Sequence, residues 1–256
     1  MRFRDKVALV TGATSGIGRA TALALAAEGA RTVAVGRRQE ALDSLVDEIA
    51  RAGGEALPLA ADLTDAGARE AVAAAALEAF GGLDVLVNSA GVIAFGTVET
   101  TTLPDWRSMF ELNVTAAVSH LMQLFTPSLK ARRGAIVNVS SVTGIRSFPG
   151  VLSYCASKAA VDQLTRCAAL ELAGDGVRVN AVCPGVVVSG LHRTGGLDEP
   201  RYAGFLEHSR TTHPMGRVGQ ADEVAALILF LSSAQSGWIT GATVPIDGGR
   251  HPTCAR

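Results

Sequence analysis

"VALVTGATSGIGRATALALAAEGA", residues 7–30, decides how the chain is read. It opens on a short apolar run suited to a strand buried on both faces, passes through a glycine-rich turn, and closes on an alanine- and leucine-rich segment of helical period. Gly12, Gly16 and Gly18 supply a tight turn, a close approach of backbone to a pyrophosphate, and room for helix to pack on strand. Thr14, Ser15 and Ile17 fall on the same turn, and the N–H groups that open the helix would face the phosphates. Glycine spacing alone is a weak signal. Its position after a first strand and before a helix is what points to a dinucleotide.

Working outward, apolar runs at 32–35, 56–60, 85–88, 135–139, 178–182 and 243–246 join the one at 6–10 as strand candidates. Helical periods at 17–28, 40–52, 66–80, 104–129, 153–173 and 221–231 alternate with them. That alternation predicts an α/β fold, a single doubly wound domain with a seven-stranded parallel sheet and helices on both faces. No linker or internal repeat divides residues 1–256. Regularity fails between Ser189 and Gly219 around one helical piece at 199–209. Such an insertion is either a substrate loop or an ordinary surface excursion.

Composition excludes other classes. Of 256 residues 48% are apolar and 18% charged, the balance of a folded globule, and the net charge of -1 gives no reason to expect nucleic acid or an anionic membrane. Apolar stretches fall short of the roughly 20 residues of a bilayer span, and no signal-like segment precedes the first strand. Cysteines 155, 167, 183 and 254 have neither metal nor disulfide spacing, so reduced thiols in a cytoplasmic protein without a metal are expected.

The second strand ends "VAVGRRQEAL", residues 33–42. An NAD site usually places an acid there to hold the ribose 2′-hydroxyl. Gly36 stands in its place and Arg37 and Arg38 follow, so a 2′-phosphate would meet a bidentate cation. NADP is the expected coenzyme and NAD the alternative. The bland reading, a solvated helix start, is not favoured by the helix dipole. Asp62 and Leu63, ending "AADL", would lie at the adenine.

Tyr154 and Lys158 in "YCASK" lie about one turn apart on one helix face. Lysine is scarce, with only Lys6, Lys130 and Lys158 among 23 basic residues. With the glycine turn, "NSAG" at 88–91, "YCASK" and the "PG" at 184–185 in order, the sequence resembles the short-chain dehydrogenase/reductases over residues 6–249, through the closing "ITGATVPIDGG". The resemblance implies a Rossmann-like domain, a nicotinamide coenzyme and a homotetramer built on the long helices. The apolar character of "MFELNVTAAVSHLMQLF" and "AVDQLTRCAALELA" exceeds what one core-facing stripe needs.

By that resemblance, Thr11, Gly12, Gly16 and Gly18 match the phosphate turn, and Asn88, Ala90 and Gly91 the motif beneath the coenzyme. Asn113, Ser141, Tyr154 and Lys158 match the catalytic set, while Pro184, Gly185, Val187 and Ser189 fall where the nicotinamide end is held. Ser89 replaces the commoner second asparagine, and Ser15 stands where many NADP users carry a cation.

A carbonyl that accepts hydride needs a proton, and phenol, with a pKa near 10, is a poor base at neutrality. Lys158 is therefore expected to favour the phenolate, Ser141 to hold the substrate oxygen, and Asn113, on the resemblance alone, to hold a water that links Lys158 to solvent. The expected activity is hydride transfer between NAD(P) and a carbonyl or secondary alcohol. A 3-oxoacyl-[acyl-carrier-protein] reductase is the alternative, with Lys130, Arg132 and Arg133 of "LKARRG" as a docking patch, weakened by Asp175. A non-catalytic dinucleotide sensor is the alternative of another class. Substrate choice would lie on residues 92–103, 143–153 and 189–219. Phe95, Ile145, Phe148, Leu191, His192, Tyr202 and Phe205 suggest a mostly apolar pocket, and His192 and His213 are expected as exposed loop histidines.

Overall fold

The computed structural model describes residues 1–254. Seven parallel strands form one sheet: β1 (Val7–Thr11), β2 (Arg31–Gly36), β3 (Glu55–Ala60), β4 (Val85–Asn88), β5 (Ala135–Val139), β6 (Arg178–Pro184) and β7 (Thr243–Ile246), in the order β3-β2-β1-β4-β5-β6-β7. β1 is buried along its whole length. Its side chains alternate, Val7 and Leu9 entering one core and Ala8 and Val10 the other, which is why the run reads as continuously apolar.

One core is completed by α1 (Gly16–Ala27), α2 (Gln39–Arg51) and α10 (Ala221–Ser232), the other by α3 (Ala66–Phe80), a long helix that ends in α5 (Leu121–Arg132), and α7 (Leu152–Leu172). The ends are fixed locally. Asp65 caps α3 by accepting from the Ala68 amide at 3.1 Å, and Gly81, at φ 69°, ends it in the left-handed region. Thr102 and Asp105 form a capping box at the start of α4 (Leu103–Phe110).

The expected helix at 104–129 proves to be compound. α4 runs through a π-helical stretch, Glu111–His120, into α5. A wider winding carries no compositional mark, so periodicity could not reveal it. Two short helices, α6 (Val142–Ile145) and α8 (Leu191–Thr194), were likewise invisible, and the helical piece after Ser189 extends as α9 (Glu199–Thr212).

Strand order reverses between β1 and β4, since the chain builds outward to β3 and then returns to build toward β7. A crevice opens at the carboxyl ends of strands at such a switch point. A buried polar ladder runs beneath it: Asn88 donates to Asn138 at 2.9 Å, and Asn138 to Thr165 on α7 at 2.9 Å. Among the described residues, no helix is long and apolar enough to cross a membrane.

Candidate active site

A cleft of about 1570 Å³ occupies that crevice. This exceeds the roughly 300–1,000 Å³ of a drug-sized ligand site and leaves room for a dinucleotide with a second molecule. One end is the turn after β1. Gly12 and Gly16 have φ of 67° and 52°, the left-handed region that glycine tolerates. A Cβ on Gly12 would lie 3.0 Å from the Ala90 backbone, and one on Gly18 would strike the Gly12 carbonyl. Ser15 at the head of α1 makes no side-chain capping bond, whereas α3 and α9 are capped by Asp65 and Asp198. The first amides of α1 are thus left for a ligand, as a phosphate cradle requires.

Thr14, Ser15, Ile17, Arg37, Arg38, Asp62 and Leu63 line the same end. Arg38 donates to the Thr14 carbonyl at 3.2 Å. Asp62 accepts from the Thr64 amide and hydroxyl at 2.9 and 2.8 Å, and these bonds, with Arg37 beside them, hold its carboxyl below the usual value. Gly36 is more than a missing acid. A Cβ there would lie 2.5 Å from the Thr14 methyl, so Thr14 fills the place an acid would use.

Three expected coenzyme or catalytic residues stand behind the cleft wall. Thr11 is fully buried, and its hydroxyl accepts from the Ser89 and Ala90 amides, both at 3.0 Å, fastening the turn after β4 to the end of β1. Asn88 belongs to the polar ladder. Asn113, at 0% exposure, gives its side-chain oxygen to the Val92 amide at 2.8 Å and its nitrogen to the Val92 carbonyl and Ser157 hydroxyl at 2.9 and 3.1 Å. Its amide clamps the backbone after β4. A Cβ on Gly91 would lie 3.2 Å from Asn113 Oδ1 and 3.5 Å from Lys158 Nζ, so the bare backbone at 91 lets the two approach.

Ala90, Gly91, Ser141, Tyr154 and Lys158 line the middle of the cleft, and Pro184, Gly185, Val187 and Ser189 its far wall. Ser141 heads α6, accepts from the Thr143 amide at 3.1 Å, and is hydrogen-bonded to the Tyr154 hydroxyl. Lys158 donates to the Val139 carbonyl at 2.9 Å, and its Nζ lies 5.8 Å from the centroid of the Tyr154 ring. Burial pushes Tyr154 up to about 12, against the Ser141 hydrogen bond, and pushes Lys158 down to about 8, against Asp162. In the bare site burial keeps Tyr154 a phenol with its proton in place.

Beyond Tyr154, Phe95, Phe148, Leu191, His192 and Phe205 line the cleft, whereas Ile145 and Tyr202 do not. Tyr202 is buried, and its hydroxyl donates to the Ser189 carbonyl at 3.0 Å. His192 stacks on Phe205 at 4.4 Å, and burial lowers its imidazole to about 4. His192 is half-buried and His213 buried, the latter accepting from the Val186 amide at 3.2 Å while its Nδ1 meets the Ser209 carbonyl at 2.6 Å. Neither is the exposed loop histidine expected. Thr64 and Thr143, which orient Asp62 and Ser141, belong to no motif, and Ser140 and Ser157 lie within motifs whose spacing does not reveal their bonds.

The docking patch of "LKARRG" lies at the opposite end of the molecule. Lys130 pairs with Asp175 at 2.8 Å and Arg132 with Asp84 at 3.0 Å, where the strands begin.

Residues 12–251 match a family model described as Enoyl-(Acyl carrier protein) reductase. A 2,5-dichloro-2,5-cyclohexadiene-1,4-diol dehydrogenase of Sphingobium indicum is 39% identical over 252 residues, 97% of each chain. A 3-oxoacyl-[acyl-carrier-protein] reductase of Thermotoga maritima is 40% identical over 254 residues, covering 97% of this chain and 99% of its own. Among solved structures, a Caenorhabditis elegans short-chain dehydrogenase/reductase of unknown function, crystallised with cofactor, superposes with a TM-score of 0.93 at 33% identity, over 99% of this chain and 97% of that one.

Proposed function

The chain belongs to the short-chain dehydrogenase/reductase family, and from that premise we propose that it is an NADP(H)-dependent reductase of a carbonyl, running also as a secondary-alcohol dehydrogenase. It is an oxidoreductase that acts on CH–OH groups with a nicotinamide coenzyme. The bound nicotinamide supplies hydride exchange and, when oxidised, a positive charge. The observation that carries this reading is Tyr154, a buried phenol hydrogen-bonded to Ser141 and lining the same cleft as Lys158. Such a group donates a proton to a carbonyl oxygen at neutral pH, and Ser141 holds that oxygen beside it. Lys158, ammonium below about pH 8, steadies the phenol's charge as the proton leaves.

The glycine turn and the uncapped start of α1 would take the pyrophosphate. Arg37 and Arg38 favour a 2′-phosphate over a bare hydroxyl. Substrate choice falls to the insertion at 189–219 with the residues after β4 and β5. There Thr143 Oγ1 and His192 Nδ1 are buried without a hydrogen-bond partner, in a wall shared with Phe148, Leu191 and Phe205. A substrate carrying an oxygen beyond the reacting carbonyl suits such a wall. The relative that acts on a diol supports this reading. The carrier-protein alternative is disfavoured because two cations of its docking patch are spent internally, away from the cleft. A sensor without turnover is disfavoured because Ser141, Tyr154 and Lys158 converge in one cleft.

The protein acts in the cytoplasm as a homotetramer. Its four cysteines are unpaired, and Leu103, Leu170 and Trp238 are exposed. Titration with NADPH and NADH, followed by a carbonyl panel that includes hydroxyketones, tests the assignment. Tyr154→Phe should keep coenzyme binding and lose about 10²–10⁴-fold in turnover. Undiminished turnover would sink it.

A further inference from the structure

Directly beneath Lys158 lies a carboxylate that the reaction described so far does not use. Asp162 follows Lys158 by one turn on the inner face of α7 and is 1% exposed. Its Oδ1 is approached by the Cys183 thiol of β6 at 3.8 Å, and its Oδ2 has no hydrogen-bond partner. The Ser140 hydroxyl, which donates to the Lys158 carbonyl at 3.2 Å, lies within reach of the same carboxylate and favours its charge. Gly144 makes the space, since a Cβ there would strike Asp162 Oδ2.

An aspartate so deeply buried costs stability unless its charge is used, and an apolar residue of similar volume would pack there more cheaply. Burial raises the pKa of Asp162, and Ser140, Arg166 and Lys158 oppose that shift by favouring the charge.

We propose that Asp162 is the buried counter-charge of Lys158, a positioning residue that keeps the lysine an ammonium beneath Tyr154 although both are shut away from water. The inference rests on the reading of Lys158 as part of the reacting set. The groups that face Lys158 can be named element by element: Tyr154 and Asp162 on its own helix, the Val139 carbonyl and Ser140 at the end of β5, Asn113 on the π-helical stretch, and Cys183 on β6. Asp162 is the negative side chain that acts on Lys158, and Arg166, one turn further along, acts on Asp162. Cys183, pushed up to about 12 by burial, remains a neutral thiol at working pH. The two serines of "VNVSS" thereby divide the work: Ser141 meets the phenol, and Ser140 supports the charge below it.

The scarcity of lysine makes the proposal directly measurable. With carbon-13-labelled lysine the coenzyme-free protein gives signals from only Lys6, Lys130 and Lys158, assigned by arginine substitutions at the first two. Lys158 should titrate near 8 in the wild type. In Asp162→Asn its midpoint should fall by about one pKa unit, and the alkaline limb of the pH–rate profile should move with it. Asp162→Glu should restore most of both. An unchanged Lys158 midpoint in Asp162→Asn, or a loss of rate uniform in pH, would show a packing role and overturn the proposal.

Should Asp162→Asn not fold, the wild-type carboxyl carbon of Asp162 decides the matter. It must read as a carboxylate at pH 7 although burial raises its pKa, and a carboxyl still protonated there overturns the proposal equally. Because the lysine titration needs no turnover, it stands apart from the Tyr154→Phe test of the reaction itself.

Discussion

Lys158 is held in the fold at an energetic loss, and Lys158→Met measures it. Burial lowers its pKa from 10.5 to about 8. At about 1.4 kcal/mol per pKa unit, holding the ammonium in the folded state costs about 3 kcal/mol below pH 8. The folded value is depressed and the group is a cation, so the unfolded chain binds more protons between pH 8 and 10.5. Stability must therefore rise with pH in that window. Methionine keeps most of the side-chain length without the charge, although it gives up the bond to the Val139 carbonyl, a loss of about 1 kcal/mol that does not vary with pH. The difference in stability between variant and wild type should accordingly shift by about 2–3 kcal/mol in favour of the wild type from pH 7 to pH 10. Urea unfolding at a series of pH values gives that difference directly, with titrating groups other than Asp162 cancelling between the two proteins. Parallel curves from pH 7 to 10 would refute the claim that Lys158 is a strained, buried cation. The variant should also lack turnover, which would make the strain a cost of catalysis.

Two further substitutions separate coenzyme contact from scaffold. Arg37→Asp should weaken NADPH binding by about 10- to 150-fold, the worth of one charged hydrogen bond, and bring NADH level with it or ahead in a fluorescence titration. Preference unchanged by that substitution would remove the ribose site assigned to Arg37. Thr11→Val should leave the Ser89 and Ala90 amides unpaired and destabilise by about 2–4 kcal/mol on thermal or urea unfolding, while Thr11→Ser, which keeps the hydroxyl, should behave as wild type.

What could be read in the sequence was what depends on near neighbours. The seven strands were legible because parallel strands buried on both faces are short apolar runs, and the glycine turn because Gly12 and Gly16 need left-handed backbone whatever surrounds them. Ser141, Tyr154 and Lys158 could be placed by resemblance, and they meet in one cleft. The roles of Thr11 and Asn113 could not be read, because their partners Ser89, Val92 and Ser157 lie 21 to 78 residues away. The burial of Tyr154 could not be read for a related reason, since depth is a property of the whole fold. Asp162 passed unremarked because one aspartate in an amphipathic helix looks like a solvated face until the helix is packed.

The Thr14 methyl that lies against Gly36 has a consequence for how coenzyme choice can change in this protein. An acid at 36 has nowhere to go while threonine occupies 14, because a branched side chain has few rotamers to retreat into. Conversion to the other dinucleotide through that position is therefore a two-step path with a fixed order. A smaller residue must first be accepted at 14, where it brings no benefit of its own, before aspartate at 36 becomes tolerable. Ancestors and engineers alike would meet the same locked door, and would find Arg37 the easier way in.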